Sequence, residues 1–257
     1  MILDPVKVPW LPKTHIENAA DDLLNQWKNL NGQGIIPPIP VEAIVEKYLG
    51  ITLEFDKLED MLGMPDVLGA TWVEEKRMVI NISLLDGKEG RLTFTCGHEV
   101  GHWVLHRKYI FDQAAYSYDS GPANNPAIVC RVSTSKTRGE WQADYFSACL
   151  IMPRPAVQEA FHKVFGGNPI VIYNRIGCFG RNDLLALDPA LDTAHQFAKN
   201  VIDAGQFLNV SKEAMGYRLE DLGLLINQTG LPLSTGFKRD NPVAKNSKER
   251  IPKKRSF

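Results

Sequence analysis

One five-residue motif inside an apolar stretch constrains the fold of this sequence more than any other feature. Residues 92–106 carry apolar side chains at helical spacing and contain His98, Glu99 and His102 in the order H-E-x-x-H. On a helix, this spacing places both imidazoles on one face, one turn apart, where they can share a metal ion. Burying two histidines and a glutamate without a metal or hydrogen-bond partners is costly. The motif therefore predicts a Zn²⁺ site, and the alternative is a pair of hydrogen-bonded core histidines.

A catalytic zinc site needs a third protein ligand and an open position for water. Glu140 begins the next predicted helix, and Asp144 follows one turn later on the same face. We therefore predict three metal ligands, His98, His102 and Glu140, with Asp144 accepting a hydrogen bond from a liganding imidazole. Glu99 is predicted to be the general base that takes a proton from the attacking water. The alternative for Glu140 and Asp144 is a solvated helix N-terminus, where acidic residues are favourable.

Transition-state stabilisation requires a hydrogen-bond donor directed at the reacting carbonyl oxygen. Three side chains close to the two motifs are candidates for this role: His106, Tyr109 and Tyr145. The sequence does not distinguish between them, and His106 can equally support a ligand or face solvent. Gly101, inside the first motif, leaves room for the close approach of a backbone or a substrate.

The remaining patterns predict an α+β fold with a small twisted sheet. Thr14 and Glu17 have the spacing of a capping box, which predicts a first amphipathic helix that ends near Gly32. A helix at 41–49 leads to a strand at 51–55, and a hairpin is expected from two β-rich runs on either side of 75–77. Residues 111–139 are predicted to form a long excursion with one short strand. Further helices are predicted at residues 140–152, 155–164, 189–204 and 211–222.

These elements divide the chain into four predicted segments. They are an N-terminal helix (1–33), a zincin-like metallopeptidase core (34–166), a helical C-terminal region (167–230) and a basic, disordered tail (231–257). The C-terminal region has one helix that could belong to a helix-turn-helix unit. That helix offers only Lys212 and Arg218 as cations, so packing against the catalytic domain is favoured over insertion into a DNA groove. The basic tail is a second, weakly supported candidate for contact with nucleic acid.

Composition excludes several classes of protein. A formal net charge of −1 over 257 residues provides no strong field to attract nucleic acid. The N-terminus lacks the basic start and apolar run of a signal peptide, and no apolar stretch reaches membrane-spanning length, so a soluble, cytoplasmic protein is expected. The four cysteines are scattered and predicted to be reduced: Cys96, Cys130, Cys149 and Cys178. A redox switch at Cys96 or Cys149, which are next to site residues in the sequence, is the alternative.

Three segments resemble successive signatures of the ImmA/IrrE family of metallo-endopeptidases. They read FTCGHEVGHWVLH, EWQADYFSACLIMPR and VSKEAMGYRLEDLGLL, and the resemblance extends over residues 35–226. The pairing of H-E-x-x-H with E-x-x-x-D is also similar to the gluzincin arrangement of thermolysin-like enzymes. The family resemblance implies zinc bound by His98, His102 and Glu140, and a catalytic Glu99. It further implies that the protein cleaves a helix-turn-helix repressor, and that this cleavage derepresses stress or mobile-element genes.

Two other classes of function are alternatives. The chain could be a regulatory protein- or DNA-binding module whose zinc site is structural or vestigial. It could also be a small-molecule zinc hydrolase such as an amidase, which would turn over short amides without a folded partner. Glu99 favours an enzyme over the regulatory module, since a purely structural zinc site needs no base beside its ligands.

Overall fold

The computed structural model describes residues 8–87, 89–116, 128–131, 137–172 and 190–228. The helices are α1 Lys13–Asn31, α2 Val41–Ala43, α3 Leu58–Leu62, α4 Glu89–Tyr116, α5 Arg138–Ile151, α6 Arg154–Phe165, α7 Ala190–Gly205 and α8 Lys212–Asp221. The strands are β1 Thr52–Asp56, β2 Val67–Trp72, β3 Arg77–Asn81, β4 Ile128–Arg131, β5 Ile170–Ile172 and β6 Leu225–Asn227. Helix α2 continues as a π-helical turn over Ile44–Tyr48. This order of elements confirms the predicted α+β class.

The first four strands form one mixed sheet in the order β1-β3-β2-β4. Strands β2 and β3 form the predicted antiparallel hairpin, and its turn includes Lys76 with a φ of 50°. Strand β1 runs parallel to β3, and β4 runs antiparallel to β2. Within the described strands, β4 therefore lies at an edge of the sheet and pairs with β2 alone.

The two faces of this sheet pack against different helices. Met78 and Ile80 of β3 belong to the main apolar core, against which α4 packs. Val79, between them, faces the opposite side and joins a smaller apolar cluster with Leu58 of α3. This alternation is the period-2 pattern of a strand that is covered on both faces. Helix α4, which contains the H-E-x-x-H motif, therefore packs against one face of this sheet.

Two glycines allow α4 and α5 to cross closely. A Cβ added at Gly101 would lie 3.0 Å from the Cα of Ala143, and one at Gly97 would lie 2.5 Å from the Oγ of Ser147. The Ser147 hydroxyl also donates to the Phe94 carbonyl across the crossing, at 2.8 Å. The close approach that Gly101 was expected to permit is therefore made by the backbone of α5. It brings the two helices that carry the predicted metal ligands together.

Helices from both ends of the chain complete the same core. Ile16 of α1, Phe146 of α5, Phe161 of α6 and Phe207 after α7 belong to one continuous cluster of buried apolar side chains. Strands β5 and β6, which the sequence patterns did not predict, form a second, parallel sheet of two strands beside α8. The division into four segments stays a prediction, and the tail at 231–257 lies outside the described residues.

Two predicted boundaries are wrong. Helix α1 begins at Lys13 after Pro12, so Thr14 lies inside the helix and makes no cap. Glu17, its supposed capping-box partner, instead pairs with Arg154 and Arg218. Helix α4 runs to Tyr116 rather than ending near residue 106, so it takes up the start of the predicted excursion. The predicted end of α1 is confirmed, because Gly32 has a φ of 68° and its backbone N–H donates to the Lys28 carbonyl.

Among the described residues, no helix has the length and apolar character of a membrane span.

Candidate metal centre

Three predicted ligands converge where α4 crosses α5. The Nε2 atoms of His98 and His102 lie 3.1 Å apart on one face of α4. Glu140, in the first turn of α5, reaches both imidazoles: its Oε1 is 3.2 Å from His102 Nε2, and its Oε2 is 3.3 Å from His98 Nε2. The three side chains together can hold one metal ion. The structure therefore brings together the three side chains that the sequence predicts as ligands.

The start of α5 determines where Glu140 lies. Thr137 is the N-cap residue, and its hydroxyl oxygen accepts a hydrogen bond from the backbone N–H of Glu140 at 3.4 Å. The cap fixes Glu140 in the first turn, where the helix dipole favours a carboxylate. The predicted alternative, a solvated helix start, does not describe this acid, because its carboxylate points into the histidine pair.

Asp144 fixes the tautomer of His98. Its Oδ1 lies 2.9 Å from His98 Nδ1, as expected for an acid one turn after Glu140. A carboxylate can only accept, so Nδ1 carries the proton and donates it to Asp144. The Nε2 of the neutral imidazole then has a free lone pair directed at the cluster.

A chain of hydrogen bonds fixes the tautomer of His102. The carbonyl of Pro9 can only accept, so the Gln142 Nε2 donates to it at 2.8 Å, and the amide oxygen of Gln142 faces His106. His106 must therefore donate to that oxygen from Nε2, at 2.8 Å, which leaves its Nδ1 as an acceptor. His102 Nδ1 donates to it at 3.0 Å. His102 Nε2, like His98 Nε2, is left with a lone pair.

These tautomers place acceptor atoms opposite one another, which is the arrangement of a cation site. Two imidazole lone pairs and a carboxylate can stay within 3.3 Å of one another only around a cation or an added proton. Burial raises the pKa of Glu140, but its contacts with the His102 and His98 imidazoles outweigh this effect and hold that pKa far below its usual range. Burial lowers the pKa of His98, but Cys130, Asp144 and Glu140 together raise it well above its ordinary value. The donor set of two imidazoles and a carboxylate fits Zn²⁺.

Glu99 lies beside this cluster on the side of the sheet. Its carboxylate is 0% exposed, and its Oε2 accepts a hydrogen bond from the Thr71 hydroxyl of β2 at 2.6 Å. Its Oε1 has no hydrogen-bond partner among the described residues. Burial raises the pKa of Glu99, opposed by His98, His102 and the Thr71 hydrogen bond. A buried carboxylate with one oxygen held and the other unsatisfied is suited to receive a proton.

Residues 46–165 match the model of the peptidase M78 family, which is described as the IrrE N-terminal-like domain. This segment is similar to the IrrE N-terminal-like domain, and residues 46–165 are named the IrrE-like domain. No curated protein matches the chain. The predicted resemblance to the ImmA/IrrE family is thus confirmed for this segment, and the match supports a metallopeptidase-type function. All three candidate ligands, Glu99 and Asp144 lie within the IrrE-like domain, whereas α1, α7 and α8 lie outside the match.

Two of the three proposed oxyanion donors make hydrogen bonds elsewhere in the structure. His106 donates to Gln142 and accepts from His102, and burial and the His102 charge lower its pKa to about 4. The hydroxyl of Tyr145 donates to Asp221 of α8 at 2.7 Å, outside the IrrE-like domain. Neither group is free to donate to a substrate. Tyr109 is partly buried on α4, seven residues after His102, and its role stays a prediction.

Sequence reasoning missed four residues that shape the site: Thr71, Gly69, Gln142 and Cys130. A Cβ at Gly69 would lie 2.8 Å from Glu99 Oε1, so only glycine leaves room for the base. Gly69 and Thr71 are two apart on β2 and therefore share a face, but their position opposite Glu99 depends on how α4 packs on the sheet. The Cys130 Sγ and donor atoms of His98 and Glu99 all lie within 4.8 Å of one another. The sequence surrounding Cys130 contains no metal-ligand spacing that would have identified it.

Proposed function

We propose that the chain is a zinc-dependent endopeptidase that cleaves a helix-turn-helix transcriptional repressor and thereby derepresses stress or mobile-element genes. The observation that carries the proposal is the unsatisfied, fully buried oxygen of Glu99 beside a cluster of two imidazoles and a carboxylate. A structural zinc site needs no such carboxylate, and burying it without a partner is costly. The choice of a repressor as substrate rests on the family resemblance.

The residues of the site divide the chemistry among them. His98, His102 and Glu140 would hold the zinc ion, which when bound polarises the scissile carbonyl and makes a water more acidic. Glu99 Oε1 takes a proton from the attacking water and later delivers it to the leaving amine. Thr71 holds the other carboxylate oxygen, so the proton is transferred at a defined atom. Asp144 and His106 keep the two imidazoles in the tautomers that can bind a cation.

The first test is cleavage of a repressor in cells. The chain is co-expressed with a helix-turn-helix repressor encoded near its own gene, and the repressor fragments are identified by mass spectrometry. The wild type should produce one specific cut, whereas Glu99→Gln should produce none. Glu99→Gln keeps the three ligands, so it should still bind one zinc ion per chain, as measured by metal analysis.

Two results would contradict parts of this proposal. Equal cleavage by the wild type and Glu99→Gln would show that Glu99 is not the base. Cleavage of short amides with no cut in any folded protein would favour the small-molecule hydrolase. The regulatory module is supported by one observation, the nearness of the Cys130 thiol, which could give the metal a fourth protein ligand. A wild type that binds zinc and cleaves neither substrate would favour that module.

A further inference from the structure

Cys130 is an additional potential ligand beside the three residues of the candidate metal centre. It is a buried residue of β4, and its Sγ lies within 4.8 Å of donor atoms of both His98 and Glu99. Glu99 also has a carboxylate oxygen, Oε1, with no hydrogen-bond partner in the described part of the chain. A sulfur atom therefore lies close to both a candidate metal ligand and the proposed base.

The pairing of β4 with β2 explains why the sulfur points there. Cys130 is opposite Gly69, and directly opposed residues of an antiparallel pair project from the same face. Gly69 has no side chain, so Glu99 reaches the sheet at that point and the Cys130 side chain lies beside it. The preceding residue, Val129, projects to the opposite face and packs in the cluster around Leu58. The register also shifts between Val67 and Gly69, an irregularity of the kind that redirects side chains near functional sites.

The other two described cysteines have different surroundings. Cys96 and Cys149 lie on α4 and α5 and belong to the main apolar core. Burial raises the pKa of the Cys149 thiol to about 12, as expected for a thiol that serves as a small apolar group. Cys130 alone among the described cysteines belongs to a group in which donor atoms of an imidazole and a carboxylate lie within 4.8 Å of the sulfur. A packing role accounts for Cys96 and Cys149 but not for the polar neighbours of Cys130.

We propose that Cys130 is a fourth, reversible protein ligand of the metal, which closes the position needed by the attacking water and keeps the resting enzyme latent. The inference rests on the proposed function, since it assigns a further ligand to the same zinc ion. Binding of the thiol to the metal would release its proton to solvent, as at other thiolate sites, and the site would then have the four protein ligands of a closed centre. Movement of β4, which pairs with β2 alone among the described strands, would withdraw the sulfur and open the position to water.

Cobalt substitution provides a direct test. The full-length protein is stripped of metal, reloaded with one equivalent of Co²⁺ and examined by absorption spectroscopy. A thiolate ligand gives an intense sulfur-to-cobalt charge-transfer band in the near ultraviolet, which nitrogen and oxygen ligands do not give. The wild type should show this band. Cys130→Ser should lose it while retaining the weaker visible bands of bound cobalt, and its zinc affinity in a chelator competition should fall at least about tenfold.

Cys149→Ser is the matched control, because it also removes a buried thiol and should leave the band unchanged. A wild-type spectrum with bound cobalt and no sulfur band would overturn the Cys130 proposal and leave the peptidase proposal intact, whatever the folding of the variants. A band that persists in Cys130→Ser would assign the ligand to another thiol and also overturn it. Failure of the wild type to bind cobalt or zinc would overturn the metal centre itself, and the proposed function with it.

Discussion

At the scale of single residues, hydrogen bonds to fixed acceptors determine which nitrogen of each imidazole can bind a cation. Asp144 was predictable, because it follows Glu140 by one helical turn and so shares its face. Gln142 was not, because the acceptor that orients its amide is the Pro9 carbonyl, 133 residues earlier in the chain. The same long-range contact explains why His106 supports His102 instead of donating to a substrate.

Replacing Gln142 should therefore weaken metal binding without touching a ligand. In Gln142→Met, the His106 N–H loses its acceptor, and the tautomer that accepts from His102 is no longer enforced. We expect zinc affinity to fall about tenfold, the lower end of the effect of groups that orient ligands. Competition with a chromophoric chelator measures this change. Gln158→Met, the same substitution on α6, should leave zinc affinity unchanged. If Gln142→Met bound zinc as tightly as the wild type, the hydrogen bonds from Gln142 through His106 would not control how His102 binds the metal.

At the scale of elements, the sequence predicted the long helices but not the contacts that assemble the site. Apolar periodicity predicted most helices correctly. Ser211 was correctly predicted as the residue that caps α8 with its hydroxyl. Strands β5 and β6 have three residues each, which is too short for a period-2 pattern to be recognised. The spacing of His98, His102 and Glu140 indicated a shared metal, whereas the crossing that unites them depends on Gly97 and Gly101.

Gly101→Ala tests whether this helix crossing holds the metal centre together. Its added methyl group would meet the α5 backbone at 3.0 Å, and a backbone cannot move aside as a flexible side chain can. We expect α4 and α5 to separate, with a loss of about 1–3 kcal/mol in the free energy of unfolding. Zinc affinity should fall as well, since Glu140 is on one helix and both histidines are on the other. Urea unfolding of the metal-free protein and chelator competition measure the two effects.

Gly216→Ala is the control for this substitution. Gly216 lies within α8, and a Cβ there would meet no atom within 4 Å. Alanine should thus leave zinc affinity unchanged and stabilise α8 by about 0.5–1 kcal/mol, because glycine is the weaker helix former. If Gly101→Ala unfolded like the wild type and bound zinc as tightly, the close crossing would have no role in assembling the site.

At the scale of the whole molecule, a buried ion network connects the IrrE-like domain to helices outside it. Glu17 of α1 accepts from Arg218 of α8 and from Arg154 of α6, each at 2.6 Å. Asp221 of α8 also pairs with Arg218 and accepts from the Tyr145 hydroxyl of α5. Sequence patterns assigned Glu17 to a helix cap and Arg218 to a candidate DNA-binding face, because partners 201 residues apart leave no local signal. Arg218 is 2% exposed, so it does not provide a surface cation for a phosphate group.

Glu17→Gln should destabilise the whole fold in a manner that depends on pH. Arg218 would stay buried with only Asp221 as a counter-ion, so we expect a loss of about 2 kcal/mol, less than the roughly 3–5 kcal/mol for a fully orphaned buried charge. Burial raises the pKa of Glu17, but hydrogen bonds from Arg154 and Arg218 outweigh it, so its pKa is lowered in the folded protein. A carboxylate with a lowered pKa stabilises the fold above its unfolded pKa, and this contribution is lost as pH falls through the folded pKa.

The difference in unfolding free energy between the wild type and Glu17→Gln should therefore be constant from about pH 6 to about pH 8 and shrink below about pH 4. Urea unfolding of the two metal-free proteins measures it without a contribution from zinc release. Glu159→Gln is a suitable control, because Glu159 forms an exposed pair with Lys163 on α6 and its replacement should leave stability unchanged. A difference that stayed the same in acid would mean that Glu17 acts through packing rather than charge. The network would then hold α1 and α8 against the domain through side-chain packing alone, and lowering the pH would not weaken these contacts.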